Sequence, residues 1–251
     1  MFPSSTTPTT ILFIPGAWHS PTCYNNLLPA LQVSSYNTEL IHLPSVNPST
    51  PHKDFTEDVL HIRSRIESAA SAGHKIILSE AVKGLDWESQ QKQKQPDGGK
   101  QKRGGVTHVF YCCSFLIPEG ESLVSAFGGV DLPWYRISED RRVVMPAGPG
   151  EVFYNDMEVG EVERAVAELK PHSYMNFHSV VGYAAWKYVP STYLYCLRDA
   201  AIPIEVQRMM VEEVAKGVAI RTETVDSSHS PFYSVPGEVV RAIRRAAGEV
   251  V

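Results

Sequence analysis

The stretch Thr10-Ile11-Leu12-Phe13-Ile14-Pro15-Gly16-Ala17-Trp18-His19 opens the chain with a continuous apolar run stopped by Pro15-Gly16. An unbroken run of this kind suits a strand buried on both faces, and such strands belong to parallel sheets covered on both sides. The same pattern recurs along the chain. A short helix is expected over Tyr24 to Leu31, and a second strand over Leu40-Ile41-His42-Leu43, closed by Pro44. Asp54 and Glu57 have capping-box spacing, and Val59, Ile62 and Ile66 recur at helical intervals as far as Gly73. Lys75-Ile76-Ile77-Leu78 reads as a third strand leading straight into a helical segment near Ser79, and Val106 to Cys112 as a fourth. After residue 188 the order is strand Thr192 to Leu197, helix from Pro203, strand Ile220 to Val225 and helix Val235 to Ala247. Strands alternating with helices imply an α/β fold with a mostly parallel sheet flanked by helices.

With 251 residues, 43% of them hydrophobic, the chain is expected to form one α/β domain over 1–251. Residues from about 120 to 188 lose the alternation and are rich in aromatics and proline, which reads as an inserted lid. Gln90 to Gly105 carries Lys92, Lys94, Lys100, Lys102 and Arg103 with scarcely an apolar residue. No aromatic is interleaved there for stacking on bases, and the net charge is −5, so a solvated loop is expected and no nucleic-acid partner. The N-terminus lacks a basic start and a long apolar run, which argues against a signal peptide. No stretch approaches the roughly 18 apolar residues of a spanning helix, so no membrane association is expected. Cys23, Cys112, Cys113 and Cys196 show no metal or redox spacing. They read as buried free thiols, with Cys112 and Cys113 pointing to opposite faces of a strand, in a cytoplasmic, reducing compartment.

In a parallel sheet, functional groups gather on loops at the carboxyl ends of the strands. Three loops stand out. Pro15-Gly16-Ala17-Trp18-His19 can aim backbone N–H groups into a pocket, as an oxyanion hole requires, with Ala17 the natural donor and Trp18 and His19 candidates for touching substrate. On that loop alone, a simple strand-to-helix turn is the better explanation. Arg198-Asp199-Ala200-Ala201-Ile202-Pro203 sets an acid ahead of a proline-started helix, where it can orient an imidazole or serve only as a helix cap. Asp226-Ser227-Ser228-His229-Ser230-Pro231-Phe232 places His229 after the next strand. Acid and then histidine, in these two loops and in this chain order, is the arrangement of α/β-hydrolases.

On these segments, together with Phe115-Leu116-Ile117-Pro118-Glu119-Gly120, the chain resembles the α/β-hydrolase superfamily, in particular fungal relatives of the plant methylesterase and hydroxynitrile lyase group. The resemblance implies that Asp199 and His229 are the family acid and base and that Ala17 lies in the oxyanion loop. It also implies a serine in a Gly-x-Ser-x-Gly-like turn straight after Lys75 to Leu78. No Gly-x-Ser-x-Gly occurs anywhere in the sequence, and Ala69-Ala70-Ser71-Ala72-Gly73 mimics the spacing but precedes the strand. Where those relatives run through a His-Ser-aromatic-Gly-Gly turn, Leu78 here joins Ser79 directly, as though about ten residues were cut out.

Three readings of this break stand side by side. The chain is a shortened version of an active enzyme; or it is a pseudo-hydrolase that binds a small ligand, or uses Asp199 and His229 in lyase-type or cyclase-type chemistry; or Ser79 has taken the nucleophile's place. Against the last, Ile77 stands where a small residue is expected two positions earlier, and a helix N-cap also explains Ser79. The expected ancestral activity is esterase-like hydrolysis of a small carbonyl or ester compound, impaired in this chain, with no metal and no organic cofactor. The natural substrate and the oligomeric state are not legible in the sequence.

Overall fold

The computed structural model describes residues 7–78 and 104–251. Ser79, and the expected loop from Gln90 except for its last two residues, lie outside the described residues.

Six strands form one parallel sheet: β1 (Thr9–Phe13), β2 (Asn37–Leu40), β3 (Lys75–Leu78), β4 (Gly105–Cys112), β8 (Ser191–Cys196) and β9 (Ile220–Val225), in the order β2-β1-β3-β4-β8-β9. Between β4 and β8 a second, antiparallel sheet comprises β5 (Tyr135–Ile137), β6 (Val143–Pro146) and β7 (His172–Ser173).

Alternation along each central strand divides the core between the two sheet faces. Leu12, Ile76, Val109 and Tyr193 pack with Ile62, Ile66 and Ala70 of helix α2 (Thr56–Ser71). Their neighbours Ile11, Phe13, Ile77 and Leu194 pack on the other side, with Leu31 of α1 (Leu28–Val33) and with Val239, Val240 and Ile243 of the C-terminal helix (Pro236–Ala246). The two-sided burial anticipated from the opening stretch is therefore realised, with helices on both faces. At the entry to β4, Gly104 lies so close to the preceding turn that a Cβ would sit 2.0 Å from the carbonyl oxygen of His74. Only glycine fits there.

Several boundaries differ from the sequence expectation. Strand β2 is Asn37–Leu40, not residues 40–43: Thr38 and Glu39 pair with Ile11 and Leu12 of β1, and the pairing ends where the buried Ile41 donates its N–H to the Phe13 carbonyl at 3.0 Å. The anticipated capping box at Asp54 and Glu57 does not form. The residue capping α2 is Phe55, and the Asp54 carboxylate instead accepts the Thr56 N–H at 2.8 Å in a local turn. The stretch from Tyr24 to Leu31 is a 3-10 turn (Pro21–Tyr24) followed by the short α1, since Pro29 can join a helix only within its first turn. Among the described residues, no helix is long and apolar enough to cross a membrane.

Candidate active site

The loops after β8 and β9 meet at the carboxyl edge of the sheet, and there Asp199 Oδ2 accepts a hydrogen bond from His229 Nδ1 at 2.9 Å. A carboxylate oxygen accepts, so Nδ1 carries the proton and Nε2 keeps its lone pair. The Asp199 side chain is fully buried, and its Oδ1 accepts the backbone N–H groups of Ala201 and Ile202, both at 2.8 Å. The helix-capping and imidazole-orienting roles considered for Asp199 thus coexist, one on each oxygen. Burial pulls the His229 imidazole down, but the charge and hydrogen bond of Asp199 more than offset it, so its pKa lies above the ordinary histidine value.

Behind this pair stands Gln207, fully buried on helix α3 (Ile204–Met209). Its Nε2 donates to Asp199 Oδ2 at 3.3 Å, to the Ile202 carbonyl at 2.7 Å and to the Cys196 carbonyl at 3.1 Å, while its Oε1 accepts the Cys196 N–H at 3.1 Å. One side chain ties the end of β8, the acid loop and the acid together. The histidine loop is fixed from the insertion. The Ser228 N–H donates to Asp156 Oδ2 at 2.9 Å and the Ser228 hydroxyl to the Phe153 carbonyl at 3.0 Å. Nothing local in the sequence distinguishes Gln207 or Asp156 from other helix and loop polar residues; only their burial does.

His229 and Ala17 both line a cavity of about 740 Å³, together with Gly16 and His19. The His19 ring is fixed on both nitrogens. Ala17 O can only accept, so Nδ1 donates to it at 2.9 Å, and Nε2 accepts the Tyr154 hydroxyl at 2.8 Å. Burial holds His19 down to about 4, so it is neutral near pH 7 and fixes the Gly16–Ala17 turn through the Ala17 carbonyl.

Trp18 goes elsewhere. Its backbone takes a left-handed φ of 67°, which turns the side chain away from the cavity lining and into the core, where it packs on Trp134, Tyr135, Phe153 and Phe177 and donates Nε1–H to the Val144 carbonyl at 2.9 Å. Its expected place against substrate is therefore not observed. Trp18 instead anchors the loop after β1 to β6. The structure brings Asp199, His229, Ala17 and His19 together, leaves Trp18 behind them, and Ser79 lies outside the described residues.

The rest of the cavity wall mixes aliphatic and aromatic side chains, with Phe55, Phe110, Phe115, Phe177, Trp186 and Phe232 among its residues. One buried acid, Asp58, lines it, but its oxygens already accept the Ser45 N–H and the Asn176 side-chain amide, both at 2.9 Å.

A sequence model described as the alpha/beta hydrolase family matches residues 89–242, which carry both Asp199 and His229. This chain belongs to the alpha/beta hydrolase family. Alpha/beta hydrolase nvfD from Aspergillus novofumigatus is 30% identical to it, over 96% of this chain and 97% of its own. Among solved structures, a pyrethroid hydrolase from Sphingobium faniae JZ-2 superposes with a TM-score of 0.71 at 21% identity, over 96% of this chain and 98% of that chain. The methylesterase MES16 from Arabidopsis superposes with a TM-score of 0.69 at 17% identity, over 96% and 99%. The last two likenesses establish the fold. The family membership agrees with the resemblance seen in the loops that carry Asp199 and His229.

Proposed function

We propose that this hydrolase is built for acyl transfer on small, largely apolar esters or related carbonyl compounds, and that its hydrolytic rate is low because the nucleophile turn is lost. The observation that supports the reading best is the Asp199–His229 pair, with Nδ1–H on the carboxylate at 2.9 Å and the ring at the wall of the cavity. His229 Nε2 acts as the general base that takes a proton from the attacking oxygen and returns it to the leaving group. Asp199 orients the imidazole and stabilises the imidazolium. The Ala17 N–H supplies one oxyanion donor. The esterase names of the structural neighbours, a pyrethroid hydrolase and a methylesterase, fit this chemistry.

The cavity favours a neutral ligand. Its volume of about 740 Å³ is ample for a drug-sized molecule, its wall is rich in aromatic and aliphatic side chains, the Asp58 carboxylate is already occupied by protein donors, and the Arg63 guanidinium at the wall is paired with Glu67 at 3.0 Å. The insertion between β4 and β8 supplies Phe177 and much of the far wall, as a lid would.

The missing part is the serine. With no Gly-x-Ser-x-Gly in the sequence, the nucleophile and the second oxyanion donor that follows it are both lost. Loss of a triad member leaves roughly 10³–10⁴-fold catalysis over water, and loss of one oxyanion donor removes a further ~10²–10³. A second reading, binding of a small apolar ligand without turnover, is favoured by the same cavity.

An organophosphonate probe separates the readings that matter. This chain is expected to stay unlabelled while an apolar fluorescent ligand binds the cavity with micromolar or better affinity. A probe adduct mapped to Ser79 would overturn the loss of the nucleophile, and absence of any ligand binding would remove the second reading.

A further inference from the structure

Asp58, His172 and Asn176 are buried polar residues in the wall of the cavity, and the hydrolytic mechanism uses none of them. Backbone bonds tie them into one corner. The Ser45 N–H donates to Asp58 Oδ1 at 2.9 Å, the Asn176 amide donates to Asp58 Oδ2 at 2.9 Å, and the Ser173 N–H donates to the Ser45 carbonyl at 3.0 Å, which sets β7 and its His172 beside them. Asp58 is thereby paired on both oxygens. The other two residues are not: Asn176 Oδ1 and His172 Nδ1 have no hydrogen-bond partner. Buried polar groups in native structures are nearly always paired, so two such atoms in one corner of a cavity wall call for an explanation. Burial, helped by His52, holds His172 down to about 3, so near pH 7 its imidazole is neutral and offers one N–H and one lone pair.

We propose that His172 and Asn176 form a recognition subsite for a neutral hydroxyl group, alcoholic or phenolic, carried by the ligand at the end remote from its reacting carbonyl. The inference rests on the proposed function for the carbonyl end and adds the chemistry of the other end. A hydroxyl both accepts and donates, so it takes the His172 N–H and gives its own hydrogen to Asn176 Oδ1. A carboxylate would face the Asp58 carboxylate and the Asn176 oxygen with a neutral imidazole as its only new partner, and an ammonium has no lone pair for the imidazole N–H. The His172 ring is stacked on Phe177 with centroids 5.2 Å apart. A half-turn about its Cβ–Cγ bond preserves that stacking and exchanges the sides of the two nitrogens, so either can be presented to the ligand. Ring contacts connect the corner to the catalytic pair, from His172 to Trp18 at 6.2 Å, Trp18 to Phe153 at 5.6 Å and Phe153 to His229 at 5.4 Å. The two polar ends therefore belong to one cavity, and a single elongated ligand meets both.

The test compares three methyl biphenylcarboxylates by calorimetry on the full chain: one with a hydroxyl at the end opposite the ester, its parent without the hydroxyl, and its O-methyl ether. The hydroxyl compound is expected to bind at least about tenfold more tightly than the other two, because the ether cannot donate to Asn176 and the parent leaves both protein groups unpaired. His172→Phe keeps the ring and its stacking but removes both nitrogens, so it is expected to bring the hydroxyl compound down to the affinity of the parent and leave the parent unchanged. Equal affinity of the three compounds for the unmodified chain overturns the subsite alone, and leaves the proposed function standing. Binding of none of them overturns the apolar-cavity reading and the subsite with it. Because affinity is read without turnover, a hydroxyl preference lost in His172→Phe supports the subsite even in a chain that hydrolyses nothing. A crystal structure of the unmodified protein with the hydroxyl compound covers the case in which the variant fails to fold: a hydroxyl within hydrogen-bond distance of the His172 ring supports the subsite, and one bound elsewhere in the cavity overturns it.

Discussion

Gln207 and Asp199 are bound side chain to side chain, Nε2 to Oδ2 at 3.3 Å, on the same oxygen that receives the Nδ1–H of His229 at 2.9 Å. An acid that must hold an imidazole in one orientation is itself held in one orientation. Two backbone N–H groups fix its other oxygen, and Gln207, shared with the Cys196 and Ile202 backbone, fixes this one.

Gln207→Leu keeps the volume and removes all of these bonds. The stranded groups include the Cys196 N–H and the Ile202 carbonyl, each costing ~1–3 kcal/mol when left unpaired. A loss of about 2–4 kcal/mol in unfolding free energy by urea titration is expected. A change under about 0.5 kcal/mol would show that water or a shifted backbone replaces the side chain.

The proton on His229 is directly observable. Its imidazole should titrate above the ordinary value of about 6.5 in a nitrogen-detected NMR experiment. With the folded value raised, the pair stabilises the fold fully below pH ~6.5, and the contribution fades as pH rises through the folded value. Asp199→Asn removes the offsetting charge and leaves burial alone, so His229 should then titrate below ~6.5. Titration unchanged in that variant would mean that Asp199 does not govern the imidazole.

His19 and His172 are among the histidines that predict the opposite slope. Burial holds His19 down to about 4 and His172 to about 3, the latter helped by His52. Both stay neutral in the folded protein while the unfolded chain takes up protons below pH ~6.5, so stability must fall as the solution is acidified from there. For His19 the loss amounts to roughly 3 kcal/mol by pH 4 at about 1.4 kcal/mol per pKa unit. Urea unfolding at pH 7 and pH 5 should show a smaller difference for His19→Gln than for the parent chain; an equal difference would locate the acid sensitivity elsewhere.

Trp18→Phe tests the anchor of the loop after β1. Phenylalanine keeps most of the packing against Trp134 and Phe153 but strands the Val144 carbonyl, which accepts the indole N–H at 2.9 Å in the core. A destabilisation of about 1–3 kcal/mol is expected by thermal or urea unfolding. Destabilisation below that range would place the hold on this loop in Lys170, whose N–H donates to the Trp18 carbonyl at 2.9 Å.

The sequence by itself determined the parallel sheet and the two loops that meet at its edge. Strands covered on both faces must be apolar throughout, so Ile11 to Phe13, Ile76 and Ile77, and Thr192 to Cys196 declare themselves without a structure. Asp199 and His229, 30 residues apart, could be paired because chain order in such a sheet dictates which loops become neighbours. Tertiary structure alone decided the rest. Gln207 and Asp156 differ from surface residues of the same type only in what closes over them. Trp18 was expected against substrate, and a single left-handed backbone angle sent it into the core instead. Cys112 and Cys113 were expected on opposite faces, and another such angle brought their sulfurs together. Side-chain periodicity is a local property of extended chain and can be read residue by residue. A reversal of backbone hand, or a hydrogen bond to a partner many residues away, is selected by packing of the whole molecule, and no local pattern records it.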